Sequence, residues 1–161
     1  SVMPTNLYGK NDNFNLNDSH VIPALIRKFH EAKIKGLSSV DVWGSGKQLR
    51  EFLYVEDLAD ALVHIMNLSK KDYENACSES SFLNVGTGRD LSICDLSNQI
   101  SDIVGFNGQI VFNTKMPDGT PRKLLDISKL DSTGWKPKYD LKKGLEKTYK
   151  WFCENQESFR Q

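Results

Sequence analysis

The sequence predicts an α/β fold, because segments of helical and of strand periodicity alternate along its 161 residues. Residues 21–32 carry apolar side chains at helical spacing, and Gly36 is a suitable helix stop. Residues 40–42 and 50–55 have the composition of short strands and flank a glycine-rich turn. No repeat or linker divides the chain, so we expect residues 1–161 to form a single unit.

The first elements place a histidine at a helix start. An opening strand at Val2 and Met3 is followed by a polar, Asn/Asp-rich loop over residues 11–19. Pro23 is tolerated only in the first turn of a helix, so the first helix begins close to residue 20. His20 therefore lies at or beside the N-terminus of this helix.

The second helix opens with Glu56 and Asp57. Its predicted apolar face consists of Leu58, Leu62, Ile65 and Met66. Residues 70–81 are predicted to be a polar connection, and residues 82–85 a short strand that ends in a Gly-Thr-Gly turn.

The third helix has the clearest start in the chain. Ser92 and Asp95 form an S-x-x-D capping box, and apolar residues keep the helical period behind it until Gly105. The remaining predicted elements are a strand, a turn, a short extended piece and a final helix, over residues 109–112, 117–121, 124–125 and 141–157, respectively. The final helix is predicted to turn inward Leu145, Thr148, Tyr149 and Phe152.

Charge and composition exclude several classes of protein. The 21 basic and 21 acidic residues balance, so no net field attracts DNA, RNA or an anionic membrane. The longest apolar run has six residues, far short of the ~20 in a membrane helix. Cys77, Cys94 and Cys153 are too few and too widely spaced for a disulfide framework or a metal knuckle. We expect a reduced, cytoplasmic protein that binds no metal, nucleic acid or membrane.

Two motifs suggest dinucleotide chemistry but have simpler explanations. Residues 86–88 (GTG) follow a strand and precede a helix, yet Leu91 stands where G-x-G-x-x-G requires its third glycine. We therefore expect a turn rather than a phosphate loop. Tyr139 and Lys143 have Y-x-x-x-K spacing, but they lie around the start of the last helix, where a solvated lysine is the ordinary outcome.

Four residues are candidates for ligand contacts. A histidine at a helix start suits proton transfer, and the alternative for His20 is a capping or loop residue. Arg50 begins a strand and Lys123 follows a Pro/Gly turn. The two could clamp a diphosphate, although surface ion pairs also explain them. Trp43, beside glycines, is either a stacking platform for a base or sugar or a buried core residue.

Seven segments of the chain together carry a resemblance to a known family. They are, in order, PTNLYG (4–9), NDSHVIPAL (17–25), WGSG (43–46), REFL (50–53), NVGTG (84–88), PDGTPRKLLD (117–126) and WFCEN (151–155). They resemble the GDP-L-fucose synthase family of extended short-chain dehydrogenases. The segments SHVIPAL and DGTPRKLLD are specific, whereas NVGTG is shared by many sugar-nucleotide epimerases. The resemblance covers essentially the whole chain.

The resemblance implies that this α/β chain is the C-terminal substrate-binding portion of an NAD(P)-binding, Rossmann-type enzyme, with strand remnants of the Rossmann sheet. The N-terminal Rossmann half is expected to be missing. In the family, that half carries the NADP pocket, the Ser/Tyr/Lys reductive site and a cysteine that acts with a histidine in epimerisation. The chain begins at Ser1 without an initiator methionine, so we expect trimming or excision from a longer polypeptide.

The implied parent enzyme is an NADP-dependent epimerase-reductase and a homodimer. It would convert GDP-4-keto-6-deoxymannose to GDP-L-fucose, and we expect the 161 residues alone to be inactive. One alternative is a related epimerase of another nucleotide 4-keto sugar, such as a colitose-forming enzyme. Another is a non-catalytic module that binds a nucleotide sugar.

The resemblance also implies roles for individual residues. His20 matches the epimerisation acid of the family. Cofactor contacts are implied for Pro4, Thr5, Asn6 and Leu7. Contacts with the GDP-sugar are implied for Asn6, Val21, Lys28, Trp43, Arg50 and Lys123. The family usually has arginine at the position of Lys28, and lysine keeps the charge but loses the bidentate fork.

Overall fold

A computed structural model describes residues 1–77 and 82–156 of the chain. It has the α/β architecture expected from the sequence. The strands are β1 (Val2–Pro4), β2 (Asn6–Tyr8), β3 (Ser39–Trp43), β4 (Leu49–Tyr54), β5 (Leu83–Val85), β6 (Asp90–Ser92), β7 (Gln109–Asn113) and β8 (Arg122–Lys123). The helices are α1 (Val21–Lys35), α2 (Val55–Met66), α3 (Lys70–Ala76), α4 (Ile93–Val104), α5 (Ser128–Asp131) and α6 (Leu141–Glu154).

Strand β4 organises the sheet that positions the candidate site. Its C-terminal part pairs in parallel with β2, in the register Asn6 to Phe52. Its N-terminal part pairs antiparallel with β6 and in parallel with β8, where Arg50 lies opposite Lys123. Three distant segments of the chain are therefore held against one six-residue strand.

Two further pairs of strands complete the β structure of the described residues. Strand β3 pairs in parallel with β7 over five residues, from Ser39 opposite Gln109 to Trp43 opposite Asn113. Strand β1 pairs in parallel with β5, with Val2 opposite Leu83. Among the described strands, β1 and β5 pair only with each other.

Helix α1 supplies the largest share of the main core. Its buried residues are Ile22, Pro23, Leu25, Ile26, Phe29 and Ala32. The helix begins at Val21 with His20 as N-cap and ends at Gly36, whose φ of 63° is the left-handed conformation that glycine adopts without strain. This face packs against α4 and β3, and the ring of Phe29 lies 5.6 Å from that of Phe106. The predicted boundaries of this helix are confirmed.

The predicted apolar face of α2 is partly wrong. Leu58 and Ile65 pack against the smaller core cluster around Leu53, Val85 and Trp135, as expected. Met66 is 84% exposed and Leu62 is 39% exposed. The helix carries apolar residues on more than one side, and Ala61 and Asp57 occupy its most buried positions. Periodicity alone could not decide which side faces inward.

Several short elements differ from the sequence prediction. The expected polar connection over 70–81 contains α3, which Ser69 caps by accepting a hydrogen bond from the N–H of Asp72. The short elements β2, β6 and α5 were not predicted, and the extended piece predicted at residues 124–125 lies at Arg122–Lys123 instead. The final helix ends at Glu154, and its predicted end at residue 157 lies outside the described residues. The last part of the 70–81 segment also lies outside them.

The capped helices and the cysteines follow the sequence prediction. The Ser92 hydroxyl accepts from the N–H of Asp95, and Gly105 ends α4 in the left-handed conformation. Leu145, Thr148 and Phe152 of α6 are buried, and Tyr149 packs beside them. The three cysteines are free thiols. None of the described helices is long and apolar enough to cross a membrane.

Candidate functional site

A cavity of about 370 Å³ lies between the start of α1, the end of β3 and the N-terminal part of β4. It is lined by six of the residues singled out from the sequence. They are Asn6, His20, Val21, Lys28, Trp43 and Arg50. The structure therefore brings together side chains from four separate segments that sequence reasoning could only treat one by one.

His20 lies where the first helix begins. It is the N-cap residue of α1, and its exposed side chain makes no capping hydrogen bond. His20 and Asn6 also line a second cavity, of about 480 Å³, together with Thr5 and Leu7. The imidazole therefore borders two neighbouring cavities and makes no side-chain hydrogen bond to the helix terminus.

The predicted cofactor-contacting segment, residues 4–7, lies at the junction of β1 and β2. The side-chain amide of Asn6 donates to the carbonyl of Glu51 at 2.7 Å, and the Thr5 hydroxyl donates to the same carbonyl at 3.3 Å. Pro4 pairs with Val85 in β5 and lies outside the lining of these two cavities. These contacts fix the segment against β4.

Two basic side chains of the first cavity lack an acidic partner among the described residues. The Arg50 guanidinium donates to the carbonyl of Leu49 at 2.8 Å. The Lys28 ammonium donates to the carbonyl of Asp41 at 3.2 Å and lies 5.2 Å from the ring centre of Trp43. Burial lowers the pKa of Lys28, and the charge of Asp41 partly opposes that shift. Cations without carboxylate partners suit an anionic ligand.

Trp43 is a surface residue and not a core tryptophan. It is 59% exposed at the end of β3, and its ring borders the cavity. An exposed indole beside a cation offers a flat apolar face to a base or a sugar ring. This geometry favours the stacking platform over the core position.

Lys123 lies beside the cavity but not in its lining. It is the β8 partner of Arg50 and is exposed. Its neighbour Arg122 is already bound to Asp90, with Nε and the carboxylate oxygen 2.5 Å apart. Of the two basic residues after the Pro/Gly turn, Lys123 is therefore the one without an acidic partner among the described residues.

The glycine turns of the chain direct their amides at carboxylates of the chain itself. The N–H groups of Thr87 and Gly88 both donate to Glu51 at 2.7 Å, and the N–H of Ser45 donates to Asp118 at 2.5 Å. A phosphate needs such amides to be free. Neither turn therefore fits the phosphates of a dinucleotide, and residues 86–88 form a turn, as the sequence predicts.

The structure adds four polar residues to the cavity that the sequence did not single out as ligand contacts, Asn17, Ser19, Gln48 and Asp118. The Gln48 amide nitrogen donates to Asp118 at 2.5 Å, across 70 positions of sequence. Hydrogen bonds from the backbone and hydroxyl of Ser45 hold the pKa of Asp118 below its usual range. Asp118 lies within residues 117–121, where the sequence predicts a turn, but its hydrogen-bond partners are visible only in the fold.

Two other sites considered from the sequence are not assembled. Tyr139 packs against Tyr54 at 4.9 Å between ring centres, and Lys143 pairs with Asp140, so they do not form a catalytic pair at this cavity. Within residues 1–77 and 82–156, no three His, Cys, Asp or Glu side chains are grouped as metal ligands.

The arrangement combines three chemical capacities along one wall. It offers two cations without an acidic partner among the described residues for an anion, an exposed indole for a ring, and an exposed imidazole that can exchange a proton. Asn6, fixed against Glu51, and Phe52 close the wall at the histidine end.

One family model matches part of the chain, and named relatives match nearly all of it. Residues 1–77 match the NAD dependent epimerase/dehydratase family. The chain is 52% identical over 161 residues to GDP-L-fucose synthase of Escherichia coli (strain K12), covering 99% of this chain and 50% of that protein. It is 41% identical over 152 residues to GDP-L-colitose synthase of Yersinia pseudotuberculosis, covering 94% and 47%.

The chain is also similar to a solved structure. A GDP-L-fucose synthetase from Naegleria fowleri bound to NADP has a TM-score of 0.86 and 32% identity, covering 99% of this chain and 48% of that one. The chain spans about half the length of the curated relatives it matches.

Proposed function

We propose that the chain is the C-terminal, substrate-binding part of an NADP-dependent GDP-L-fucose synthase, since residues 1–77 match the NAD dependent epimerase/dehydratase family and the chain is 52% identical to a GDP-L-fucose synthase. The enzyme would convert GDP-4-keto-6-deoxymannose to GDP-L-fucose. The cavity supports this proposal most strongly, because Lys28 and Arg50 share its lining with an exposed histidine and an exposed tryptophan.

The spacing along β4 supports a position for each part of a nucleotide sugar. Every second residue of this segment lines the cavity, namely Phe52, Arg50 and Gln48. Because a strand rises about 3.3 Å per residue, about 13 Å of chain separates Phe52 from Gln48. Asn6 is the register partner of Phe52, which puts the histidine end of the cavity at Phe52. The keto sugar belongs at this end, the diphosphate at Arg50 and the nucleoside at Gln48.

In this arrangement His20 donates a proton to the sugar during epimerisation. Inverting a carbon next to a keto group needs one group that removes a proton and another that returns one to the opposite face. His20 has no competing capping bond, and it lies at the mouth shared by both cavities. The proton-removing group would come from the other half of the enzyme.

Residues 4–7 contribute only part of a dinucleotide site. Thr5, Asn6 and Leu7 line the second cavity and can contact one end of NADP there. The phosphates of the cofactor would rest on the other half, since the turns at Ser45 and at Thr87 bind carboxylates of this chain. NADP would supply the hydride for reduction of the keto group.

A second candidate is a colitose-forming enzyme, which the 41% identity to GDP-L-colitose synthase favours. The two candidates share the nucleoside diphosphate and differ at the sugar. They are distinguished at the histidine end of the cavity, where the hydroxyl at C3 of the sugar would lie in one substrate and be missing in the other.

Titration of the ¹⁵N-labelled chain with GDP tests the proposal. We expect weak binding, with a dissociation constant above about 1 µM, since half of the enzyme is missing and the contacts are screened by solvent. Amide resonances of Lys28, Trp43 and Arg50 should move, and NADPH should move few or none of them. Shifts confined to other surfaces would contradict the proposal.

A further inference from the structure

Among the described residues, two buried side-chain polar atoms have no hydrogen-bond partner, and both belong to the cavity lining. They are the hydroxyl oxygen of Ser19 and the amide oxygen of Gln48. Buried polar groups nearly always have a hydrogen-bond partner. Two buried atoms without one in the same cavity therefore indicate that a group outside the described chain forms the missing hydrogen bonds. Gln48 is the more informative of the two because it is only 6% exposed.

The orientation of the Gln48 amide is fixed by its neighbour. One end of the amide lies 2.5 Å from a carboxylate oxygen of Asp118. An ionised carboxylate only accepts hydrogen bonds, so the atom facing it is the nitrogen. Ser45 donates to Asp118 through its backbone and its hydroxyl, which keeps that carboxylate in place. The amide oxygen is consequently held as an acceptor without a donor.

Gly44 makes room for this pair. A Cβ at Gly44 would lie 2.6 Å from the Asp118 carboxylate and 2.7 Å from the Gln48 amide nitrogen. The φ of Gly44 is +83°, a conformation that also favours glycine. Glycine at position 44 therefore has two effects. It allows the turn before β4, and it leaves space for the oriented amide.

We propose that Gln48 is a specificity-determining residue whose side-chain oxygen accepts a hydrogen bond from the Watson–Crick edge of guanine. This inference rests on the proposed function, which puts the nucleoside at the Gln48 end of the cavity. Guanine presents an N–H at ring position 1 and an amino group at position 2. Adenine has a bare ring nitrogen and a C–H at these places, so it leaves the acceptor unpaired. An unpaired buried acceptor is what makes a site reject the wrong ligand.

The test is the ratio of GDP to ADP affinity, measured by titration calorimetry or chemical-shift titration of the full chain. The wild type should prefer GDP about tenfold, and Gln48→Met should reduce that preference to about twofold or less, mainly by weakening GDP. Gln99→Met is the matched control, because Gln99 lines a different cavity, and it should keep the wild-type ratio.

A second measurement needs no variant. The side-chain amide resonance of Gln48 in the wild type should move on addition of GDP and stay in place with ADP at equal occupancy. An unchanged affinity ratio in Gln48→Met, or equal movement of that resonance with both nucleotides, would overturn the role of Gln48 and leave the proposed function intact. Failure of the wild type to bind any nucleoside diphosphate at this cavity would instead overturn the proposed function, and the inference with it.

Discussion

Arg50 carries a charge that the described part of the chain does not neutralise, and at the cavity its nearest protein acceptor is the carbonyl of Leu49. Charge-assisted bonds from a guanidinium to a diphosphate are among the stronger polar contacts. Arg50→Ala should therefore weaken GDP binding at least tenfold, about 1.4 kcal/mol. Arg89→Ala is the matched control, since Arg89 lines another cavity. Equal affinities for the two variants, measured by chemical-shift titration, would remove Arg50 from the site.

His20 is the residue to which the proposal assigns proton transfer. His20→Asn, in an enzyme completed by its other half, should slow deuterium incorporation from solvent at C3 and C5 of the sugar by about 10²–10⁴. GDP affinity should change little, because the imidazole is not among the proposed diphosphate contacts. Mass spectrometry of the sugar measures the exchange. Exchange at the wild-type rate in the variant would make His20 a purely structural helix-start residue.

The sequence singled out the histidine, the tryptophan and the basic residues of the cavity lining, but not Gln48 or Asp118. His20, Trp43 and Arg50 have chemistry that is conspicuous in a sequence. Gln48 and Ser19 are ordinary loop residues until the fold buries them, and the contact between Gln48 and Asp118 spans 70 positions. Local patterns hold no information about a pairing of that separation.

At the scale of elements, Glu51 joins β4 to two other segments. Its fully buried carboxylate accepts the N–H groups of Thr87, Gly88 and Leu125. Glu51→Gln replaces one acceptor oxygen by a donor facing these N–H groups. We expect a loss of about 3 kcal/mol in the free energy of unfolding, measured with urea.

Glu74→Gln is the control for that change. Glu74 pairs with Lys70 at 3.8 Å on the exposed surface of α3, and such pairs contribute about 1 kcal/mol or less. If both glutamine variants lose the same small amount, the buried carboxylate does not hold β4, the 86–88 turn and the segment after β8 together.

The contact between α1 and α6 should make stability depend on pH. His30 bonds the Tyr149 hydroxyl at 3.0 Å and lies edge-on to Phe152. Burial, assisted by the charge of Lys33 and opposed by Glu31, lowers the pKa of His30. An unfolded histidine titrates near 6.5, so the unfolded chain binds the proton more readily. Stability attributable to His30 is therefore present at pH 7 and decreases as the pH falls through and below about 6.5.

Urea unfolding at pH 7 and pH 5 checks this dependence. The wild type should lose more stability between the two pH values than His30→Gln, which cannot titrate. Identical losses in the two proteins would show that other groups cause the whole effect.

The capped, strongly periodic helices were the most predictable elements. Helices α1 and α4 have a clear start and a glycine stop, and the structure confirms both. The three-residue strand β6 and the four-residue helix α5 are too short to show a period, and tertiary pairing with β4 or packing on the core creates them. The predicted buried face of α2 was partly wrong because this helix carries apolar side chains on more than one side.

Outside the cavity lining, exposed apolar side chains occur on β1 and α2. Met3 of β1 is 54% exposed, and Val63 and Met66 of α2 are 60% and 84% exposed. Among the described strands, β1 and β5 pair only with each other. In the proposed enzyme the preceding Rossmann half would pack on this apolar surface and extend the short sheet.

A chimera tests whether this chain supplies the substrate-binding half of a GDP-L-fucose synthase. The chain would replace the matching half of the Escherichia coli enzyme, to which it is 52% identical. NADPH oxidation and GDP-L-fucose formation from GDP-4-keto-6-deoxymannose are then measured by absorbance and chromatography. Turnover by the chimera is expected, and at substrate concentrations below KM it should be at least tenfold slower in the Arg50→Ala chimera. A folded chimera that binds NADPH but forms no GDP-L-fucose would contradict it.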